Sequence, residues 1–150
     1  MIALVQRVSN ASVHIEDQPV AQIGPGVLAL IGVQPPDDET TAARLLERLL
    51  AYRIFADSKG RMNLGLKEVG GGLLLVPQFT LAADTRKGNR PGFSTAATPA
   101  QARTLFDHLC ALALSAHPHT QCGRFGADMQ VALVNDGPVT FWLQVDSATP

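Results

Sequence analysis

Apolar residues in the first third of the chain occur in short runs that are typical of β-strands. Turn residues separate these runs, among them Asp17 and the Gly24-Pro25-Gly26 segment. We therefore predict four strands here, at residues 2–8, 12–16, 19–23 and 27–33.

Two helices are predicted further along. Acidic residues at 37–39 suit the start of the first helix, where the dipole favours negative charge. Its predicted buried stripe consists of Leu45, Leu46, Leu49 and Leu50. The second begins at Thr98-Pro99-Ala100-Gln101, a capping-box pattern with Pro at the first helical position, and Pro118 ends it. Its predicted apolar face comprises Ala102, Leu105, Phe106, Leu109, Ala113 and Ala116.

Further strands are predicted between and after the helices, at residues 52–56, 64–69, 73–76, 129–134 and 140–145. The run at 73–76 is wholly apolar, which is typical of a strand covered on both faces. Strands, helix, strands, helix and strands in this order predict an α+β fold in one domain over residues 1–150. We expect a largely antiparallel, barrel-like sheet with two main helices.

Composition and charge narrow the functional class. The chain is 46% hydrophobic and 17% charged, which indicates a packed core rather than disorder. Twelve Lys and Arg against thirteen Asp and Glu give a net charge of -1, which argues against coating nucleic acid by charge alone. Six Phe, one Tyr and one Trp are few for a stacking platform for single strands. Any contact with RNA should therefore involve a small part of it.

The cysteines and the apolar segments indicate a soluble cytoplasmic protein. Cys110 and Cys122 form no C-x-x-C motif, so we expect free thiols that are buried or partly buried. No basic leader with a long apolar stretch is present at the start, and the longest uncharged run, 18–36, contains four prolines.

Common catalytic motifs are absent: the sequence contains no G-x-S-x-G, no H-E-x-x-H and no phosphate-binding G-x-x-x-x-G-K-[ST]. His117 and His119 are metal-ligand types, but no Cys or carboxylate lies nearby at ligand spacing, and an exposed loop is the simpler interpretation. His14 and His108 have no evident catalytic partner in the sequence.

The first of two remaining candidate segments is Pro77-Gln78-Phe79-Thr80-Leu81, where an apolar strand ends and polar groups begin. One interpretation is a core Phe79 beside a strand-end turn. The other makes Thr80 a nucleophile or hydrogen-bond donor, with backbone N–H groups binding a developing oxyanion. A threonine hydroxyl with no visible base is a poor nucleophile, so the donor role is preferred.

The second segment is Asn135-Asp136-Gly137-Pro138-Val139-Thr140, between the last two predicted strands. Asp-Gly is a strong turn signal, and a plain hairpin turn is one interpretation. Proline directly after that glycine is unusual, because a proline at the head of a strand gives up a ladder donor.

Together the two segments resemble the D-aminoacyl-tRNA deacylase family. Further matching segments lie at residues 2–8, 52–55, 62–64, 123–125 and 128–131, so the resemblance extends to Val145. It implies a homodimer that hydrolyses the ester between a D-amino acid and the terminal adenosine of tRNA. It also implies that the active site lies at the dimer interface. We predict that no metal or cofactor is needed.

The resemblance assigns Gln78, Phe79 and Thr80 to holding the substrate carbonyl and the adenosine. The ribose 2′-hydroxyl of the substrate is implied to help activate water, so the protein mainly positions the ester. Met129 and Phe125 are either walls of the pocket or core residues.

The family's Gly-Pro bond is cis and reaches into the partner's pocket, so Gly137 and Pro138 are implied to hold the α-ammonium group with their carbonyl oxygens. Backbone then fills the space that an L side chain needs. Arg7 is implied to brace this segment. Because glycine has no side chain to clash, we expect glycyl-tRNA to be at least partly hydrolysed.

One departure concerns the first segment, which usually begins with serine in the family and begins here with Pro77. Proline has neither a hydroxyl nor an N–H to donate. The alternatives to an editing hydrolase are a binding module without turnover, which Pro77 favours, and an esterase with Thr80 as nucleophile. Arg86, Lys87 and Arg90 lie in a polar segment that either touches acceptor-stem phosphates or is a solvated loop.

Overall fold

The computed structural model describes residues 1–147. In chain order the elements are β1 (Ile2–Ile15), β2 (Gln18–Ile23), β3 (Gly26–Gly32), α1 (Glu39–Ala51), β4 (Phe55–Ala56), β5 (Met62–Leu64), α2 (Leu66–Val69), β6 (Gly72–Pro77), a 3₁₀ helix (Phe79–Ala82), α3 (Pro99–Ala116), β7 (Thr120–Cys122) and β8 (Gln130–Gln144). No helix within residues 1–147 is both long enough and apolar enough to cross a bilayer.

The main sheet is mixed, with β1 at its centre. β1 is antiparallel to β2, β3 and β8, whereas β6 is parallel to β3 and to β7. The parallel pairs arise because helix-containing crossovers join β3 to β6 and β6 to β7. Near the edge strands β2 and β7, Gln22 N–H donates to Gln121 Oε1 at 2.7 Å, so the sheet is nearly closed and barrel-like. The predicted α+β class and two main helices are confirmed, and the sheet is less antiparallel than expected.

Strand β6 lies between two apolar clusters, as its sequence predicted. Leu73 and Leu75 point into the cluster beneath α1 and α3, whereas Leu74 and Val76 belong to a second cluster with β1 and β2. Burial on both faces fixes the end of β6 at Pro77 against the rest of the fold.

The helix ends follow the capping signals with one difference. Asp38 caps α1, and its carboxylate accepts the Thr41 N–H at 2.7 Å. At α3, Thr98 Oγ1 accepts the Gln101 N–H at 3.3 Å, but the Gln101 side chain does not close a capping box. It donates instead to the carbonyls of Pro35 and Asp37. Ala116, predicted on the buried face of this helix, is exposed.

Several predicted boundaries are wrong. The segments at 2–8 and 12–16 are one strand, as are those at 129–134 and 140–145, and β7 was not predicted. Only Phe55–Ala56 of the predicted strand at 52–56 is extended. The predicted strand at 64–69 ends at Leu64 and becomes helix α2, because Glu68 caps the Gly65 N–H at 2.6 Å.

The surroundings of His117 and the two cysteines indicate that these residues contribute to packing. His117 was expected in an exposed loop, but it is buried and its Nε2 lies 2.7 Å from the Gly71 carbonyl oxygen, whereas His119 is exposed. Cys110 is a buried free thiol and Cys122 a partly buried one, as predicted. Among residues 1–147, no three His, Cys, Asp or Glu side chains are grouped closely enough to hold a metal ion.

Candidate active site

A cavity of about 470 Å³ opens where β6 ends. Pro77, Gln78 and Phe79 line one side of it. The Gln78 N–H donates to the Ile31 carbonyl at 2.7 Å, and the chain then turns into the 3₁₀ helix, where Leu81 N–H donates to Gln78. The first candidate segment is thus held at the mouth of a cavity by the end of a buried strand.

Residues 125–129 form the opposite wall of this cavity, which includes both Phe125 and Met129. Phe125 packs beside Phe106 of α3, with ring centroids 6.4 Å apart. Gly123 permits the close approach of this wall, because a Cβ there would lie 3.0 Å from the Met129 sulfur. Phe125 and Met129 are half-buried, so each contacts the core and also lines the cavity.

Thr80 faces an adjoining depression rather than the 470 Å³ cavity, and this depression is also lined by Trp142. Its Oγ1 accepts a hydrogen bond from Gln78 Nε2, and both Phe79 and Thr80 are exposed. Phe79 is therefore not a core residue. Within residues 1–147, no His, Asp or Glu side chain is hydrogen-bonded to the Thr80 hydroxyl, so no general base activates it.

The second candidate segment is a bulge in the long strand β8 and not a hairpin turn. Gln6 of β1 pairs with Thr140, and Val8 pairs with Asn135, so only Arg7 lies opposite residues 136–139. We call these four residues the 136–139 bulge. The peptide bond between Gly137 and Pro138 is cis.

Asn135 closes the base of the bulge. Its Oδ1 accepts the Val139 N–H at 2.8 Å, and its Nδ2 donates to Thr140 Oγ1 at 2.8 Å. The residues at the tip, Gly137 and Pro138, are exposed. The bulge is therefore held at its neck while its tip projects from the sheet.

Arg7 links this bulge to the segment after α1. Its Nε donates to the Asp136 carbonyl at 3.0 Å, and its Nη1 donates to the Ile54 carbonyl at 2.8 Å. The Asp136 carboxylate lies 3.6 Å from the same Nε. A planar guanidinium satisfies both carbonyls at once, which a lysine side chain would not do.

Within one chain the predicted site residues fall into two separate groups. Gln78, Phe79, Phe125 and Met129 line the cavity, with Thr80 beside it. Arg7, Gly137 and Pro138 form the second group, and none of these three lines that cavity.

Asn135, Ile54 and Arg103 also belong to these groups and were not singled out by sequence reasoning. Asn135 lies inside a candidate segment. In sequence, however, an asparagine that closes a strand bulge cannot be told apart from an asparagine in an ordinary turn. Ile54 contributes only its carbonyl, and the guanidinium of Arg103 lies 5.1 Å from the centre of the Phe125 ring. Such contacts depend on tertiary packing.

The fold of this chain is similar to that of a solved protein structure. The chain shares its fold, with a TM-score of 0.93, with the solved structure of a c-Myc DNA Unwinding Element Binding Protein. The two are 32% identical, and the match covers 98% of this chain and 100% of the other. The α+β, barrel-like fold of this chain is thus also the fold of a known protein.

Sequence comparison then gives the family. The model of the D-Tyr-tRNA(Tyr) deacylase family matches residues 4–144. The D-aminoacyl-tRNA deacylase of Thioalkalivibrio sulfidiphilus is 65% identical over 145 residues, covering 97% of each chain. That of Azotobacter vinelandii is 60% identical over 144 residues, covering 96% of this chain and 99% of the relative. The chain belongs to the D-Tyr-tRNA(Tyr) deacylase family.

Proposed function

We propose that this protein hydrolyses the ester between a D-amino acid and the terminal adenosine of tRNA, and that it spares L-aminoacyl-tRNA. As a family member it is a D-aminoacyl-tRNA deacylase, a hydrolase of carboxylic esters. The observation that carries the finer proposal is the division of the site into a cavity and a projecting bulge. The proposal includes a cytoplasmic location, which suits an enzyme whose substrate is tRNA.

The cavity side of the site positions the ester. The first hydrogen bond of the 3₁₀ helix runs from Leu81 N–H to the Gln78 carbonyl, which leaves the N–H groups of Phe79 and Thr80 at its open start. These donors are suited to a carbonyl oxygen that gains negative charge during hydrolysis. We assign Gln78, Phe79 and Thr80 to this role, with Phe125 and Met129 as the wall that receives the adenosine.

Activation of water is assigned to the substrate. Within the described part of the chain, residues 1–147, the Thr80 hydroxyl has no basic partner, and the residues that line the cavity include Asp128 but no histidine. The 2′-hydroxyl of the terminal ribose adjoins the ester, and we assign to it the role, implied by the family resemblance, of assisting a water. Catalysis by positioning of this kind needs neither a metal nor a covalent intermediate.

Chiral selection is assigned to the 136–139 bulge of a second subunit. The bulge projects from its own chain, and its neighbour Trp142 is 52% exposed on the same strand. Among residues 1–147, β8 pairs with β1 and with no other strand, so its outer edge can face another chain. In a homodimer, the Gly137 and Pro138 carbonyls would hold the α-ammonium group and their backbone would exclude an L side chain. Glycyl-tRNA escapes this exclusion and is hydrolysed as well.

Single-turnover deacylation of matched D-tyrosyl- and L-tyrosyl-tRNA, with glycyl-tRNA alongside, tests the activity. Rapid loss of the D-ester and the glycyl ester with the L-ester spared is the expected result. A folded dimer that binds the charged tRNA and hydrolyses none of them would contradict the proposal and favour a binding module.

Subunit complementation tests the shared site. Met129→Trp fills the cavity, whereas Gly137→Ala distorts the bulge, and each variant alone is expected to be inactive. Co-refolded mixtures should recover partial activity, because a mixed dimer contains one site with an intact cavity and an intact bulge. Mixtures of light-scattering-verified dimers that stay inactive would exclude a site built from two subunits.

A further inference from the structure

Two segments that carry cations lie near the 470 Å³ cavity, one ending next to Phe93, whose ring packs against Phe79, and the other beside Phe125. Lys87 and Arg90 lie in the loop between Asp84 and Gly92, and Arg103 and Arg124 lie beside the wall at Phe125. We call these four residues the basic rim. Three of them lie in the stretch 85–106, which also contains Arg86 and has no Asp or Glu, although the whole chain has a net charge of -1.

The loop that carries Lys87 and Arg90 has a defined base. Asp84 and Gly92 exchange backbone hydrogen bonds of 2.7 and 3.0 Å. The Asp84 carboxylate binds the Arg86 guanidinium through two hydrogen bonds of 2.9 and 2.7 Å, which hold the pKa of Asp84 well below its usual range. Asp84 therefore offsets the charge of Arg86 and leaves those of Lys87 and Arg90 uncompensated.

None of the four rim residues forms an ion pair within residues 1–147. Arg103 stacks on Phe125, 5.1 Å from the ring centre, and its Nη2 donates to the Phe125 carbonyl at 3.3 Å. Its charge is therefore fixed at the cavity mouth without a carboxylate partner. Asp128 is the acidic residue among those that line the cavity.

An exposed aromatic pair connects the loop to the cavity. The rings of Phe79 and Phe93 have centroids 5.2 Å apart and are 55% and 45% exposed. Phe79 lines the cavity, and Phe93 directly follows the base of the loop. Exposed aromatic faces beside uncompensated cations suit a single nucleic acid strand, whose bases stack and whose phosphates need positive charge.

We propose that the basic rim and the Phe79–Phe93 pair form the surface that binds the single-stranded 3′ end of the RNA, with phosphates on Lys87 and Arg90 and unpaired bases against Phe93. This inference rests on the proposed function, which puts the terminal adenosine in the cavity. The nucleotides that precede it must then leave across the cavity mouth. A few cations at the cavity mouth are enough to bind the short single-stranded end of an RNA. The net charge of -1 on the whole chain is consistent with such a small contact.

Comparison of two substrates tests the surface separately from the chemistry. Intact D-tyrosyl-tRNA contains the phosphates, whereas 3′-O-D-tyrosyl-adenosine has the ester and lacks them. The variants are Lys87→Glu and Arg90→Glu, and Lys67→Glu is the control. Lys67 is exposed in α2, which precedes the start of β6, so it lies at the opposite end of that strand from the cavity.

Each rim variant should lower kcat/KM for the tRNA by about three- to tenfold with kcat unchanged, because it removes a charge-assisted contact to phosphate. The slope of log kcat/KM against log salt should become less steep by about 0.7 for each lost contact. Hydrolysis of the adenosine ester should match wild type for all three variants. Rim variants that behave like Lys67→Glu on the tRNA would overturn the inference.

A wrong functional proposal would give a different result from a wrong assignment of the basic rim. If the wild type hydrolyses neither ester, the activity assignment is wrong, and binding of uncharged tRNA by fluorescence anisotropy still tests the rim. Weaker binding by Lys87→Glu and Arg90→Glu than by Lys67→Glu supports the surface, and equal binding refutes it.

Discussion

The Nε of Arg7 donates a 3.0 Å hydrogen bond to the carbonyl oxygen of Asp136, the first residue of the 136–139 bulge. Arg7 is also the one residue of β1 that lies opposite this bulge in the strand register. The strand register and the hydrogen bond thus lead to the same conclusion. β1 lies opposite the bulge and also supplies the side chain that holds it.

Replacement of Arg7 by alanine should therefore impair the reaction more than the fold. Two charge-assisted bonds to carbonyls are lost, each worth about 1.5–3 kcal/mol, so kcat/KM on the D-ester should fall roughly tenfold or more. Arg48→Ala is the matched control, because Arg48 also donates to a carbonyl of β8, that of Gln144 at 2.9 Å, away from the bulge. Equal activity losses in the two variants, measured with thermal unfolding alongside, would refute a special role for Arg7.

Gly137 should not tolerate even a methyl group. Its φ is +143°, and a Cβ there would lie 2.6 Å from Val139 Cγ2 and 2.9 Å from Val139 N. Gly137→Ala must therefore move the bulge, at a cost of about 1–3 kcal/mol, and should abolish activity on the D-ester. Gly24→Ala is the control, since nothing lies within 4 Å of its added Cβ. Wild-type D/L selectivity in Gly137→Ala, in the deacylation assay, would show that the bulge is not the selector.

The sequence predicted the two main helices, the buried strand β6 and both candidate segments. The predictions were wrong where the pairing between strands decides the structure. Residues 129–134 and 140–145 look like a hairpin because Asp-Gly and Pro interrupt the alternation. They are one strand because both halves pair with the same long partner, β1. A local pattern does not reveal that a partner strand continues past an interruption.

The parallel strand pairs and the division of the site into two groups could not be predicted from the sequence for a related reason. The short strand β7 has three residues, and its pairing with β6 depends on α3 crossing over the sheet. Likewise, spacing along the chain gives no distance between Gln78 and Gly137. The resemblance named both segments as parts of a site, but their separation into two groups within one chain is a result of tertiary packing.

Pro77 should be compatible with turnover. The Ile31 carbonyl is already bound by the Gln78 N–H at 2.7 Å, so the missing N–H of Pro77 costs no bond to β3. The backbone donors of Phe79 and Thr80 are also unaffected by this residue. We expect Pro77→Ser to change the single-turnover rate on D-tyrosyl-tRNA by less than about tenfold, a difference of 1.4 kcal/mol. A much larger gain would mean that the serine hydroxyl takes part and that Pro77 weakens this protein.

Thr80→Ala should retain substantial activity, because the Thr80 hydroxyl is bound by Gln78 and no base contacts it among the residues that the structure describes. Loss of one neutral hydrogen bond, about 0.5–1.5 kcal/mol, lowers the rate roughly two- to tenfold. Thr80→Ser keeps the hydroxyl and should match wild type. Trapping of an acyl-enzyme on Thr80 by rapid quench and mass spectrometry, or complete inactivity of a folded Thr80→Ala, would establish the nucleophilic mechanism instead.

The two cysteines should differ in reactivity although they lie side by side. The hydrogen bond between their side chains lowers the pKa of Cys122, and the same bond together with burial raises the pKa of Cys110. A thiol with a lowered pKa becomes thiolate at a lower pH, and the thiolate is the nucleophile. Iodoacetamide should therefore label Cys122 first, with a rate that rises at lower pH than for a free cysteine, as peptide mass spectrometry can measure. Cys110→Ala removes the partner thiol and its hydrogen bond and should shift that rate profile towards higher pH, whereas preferential labelling of Cys110 in the wild type would reverse the assignment.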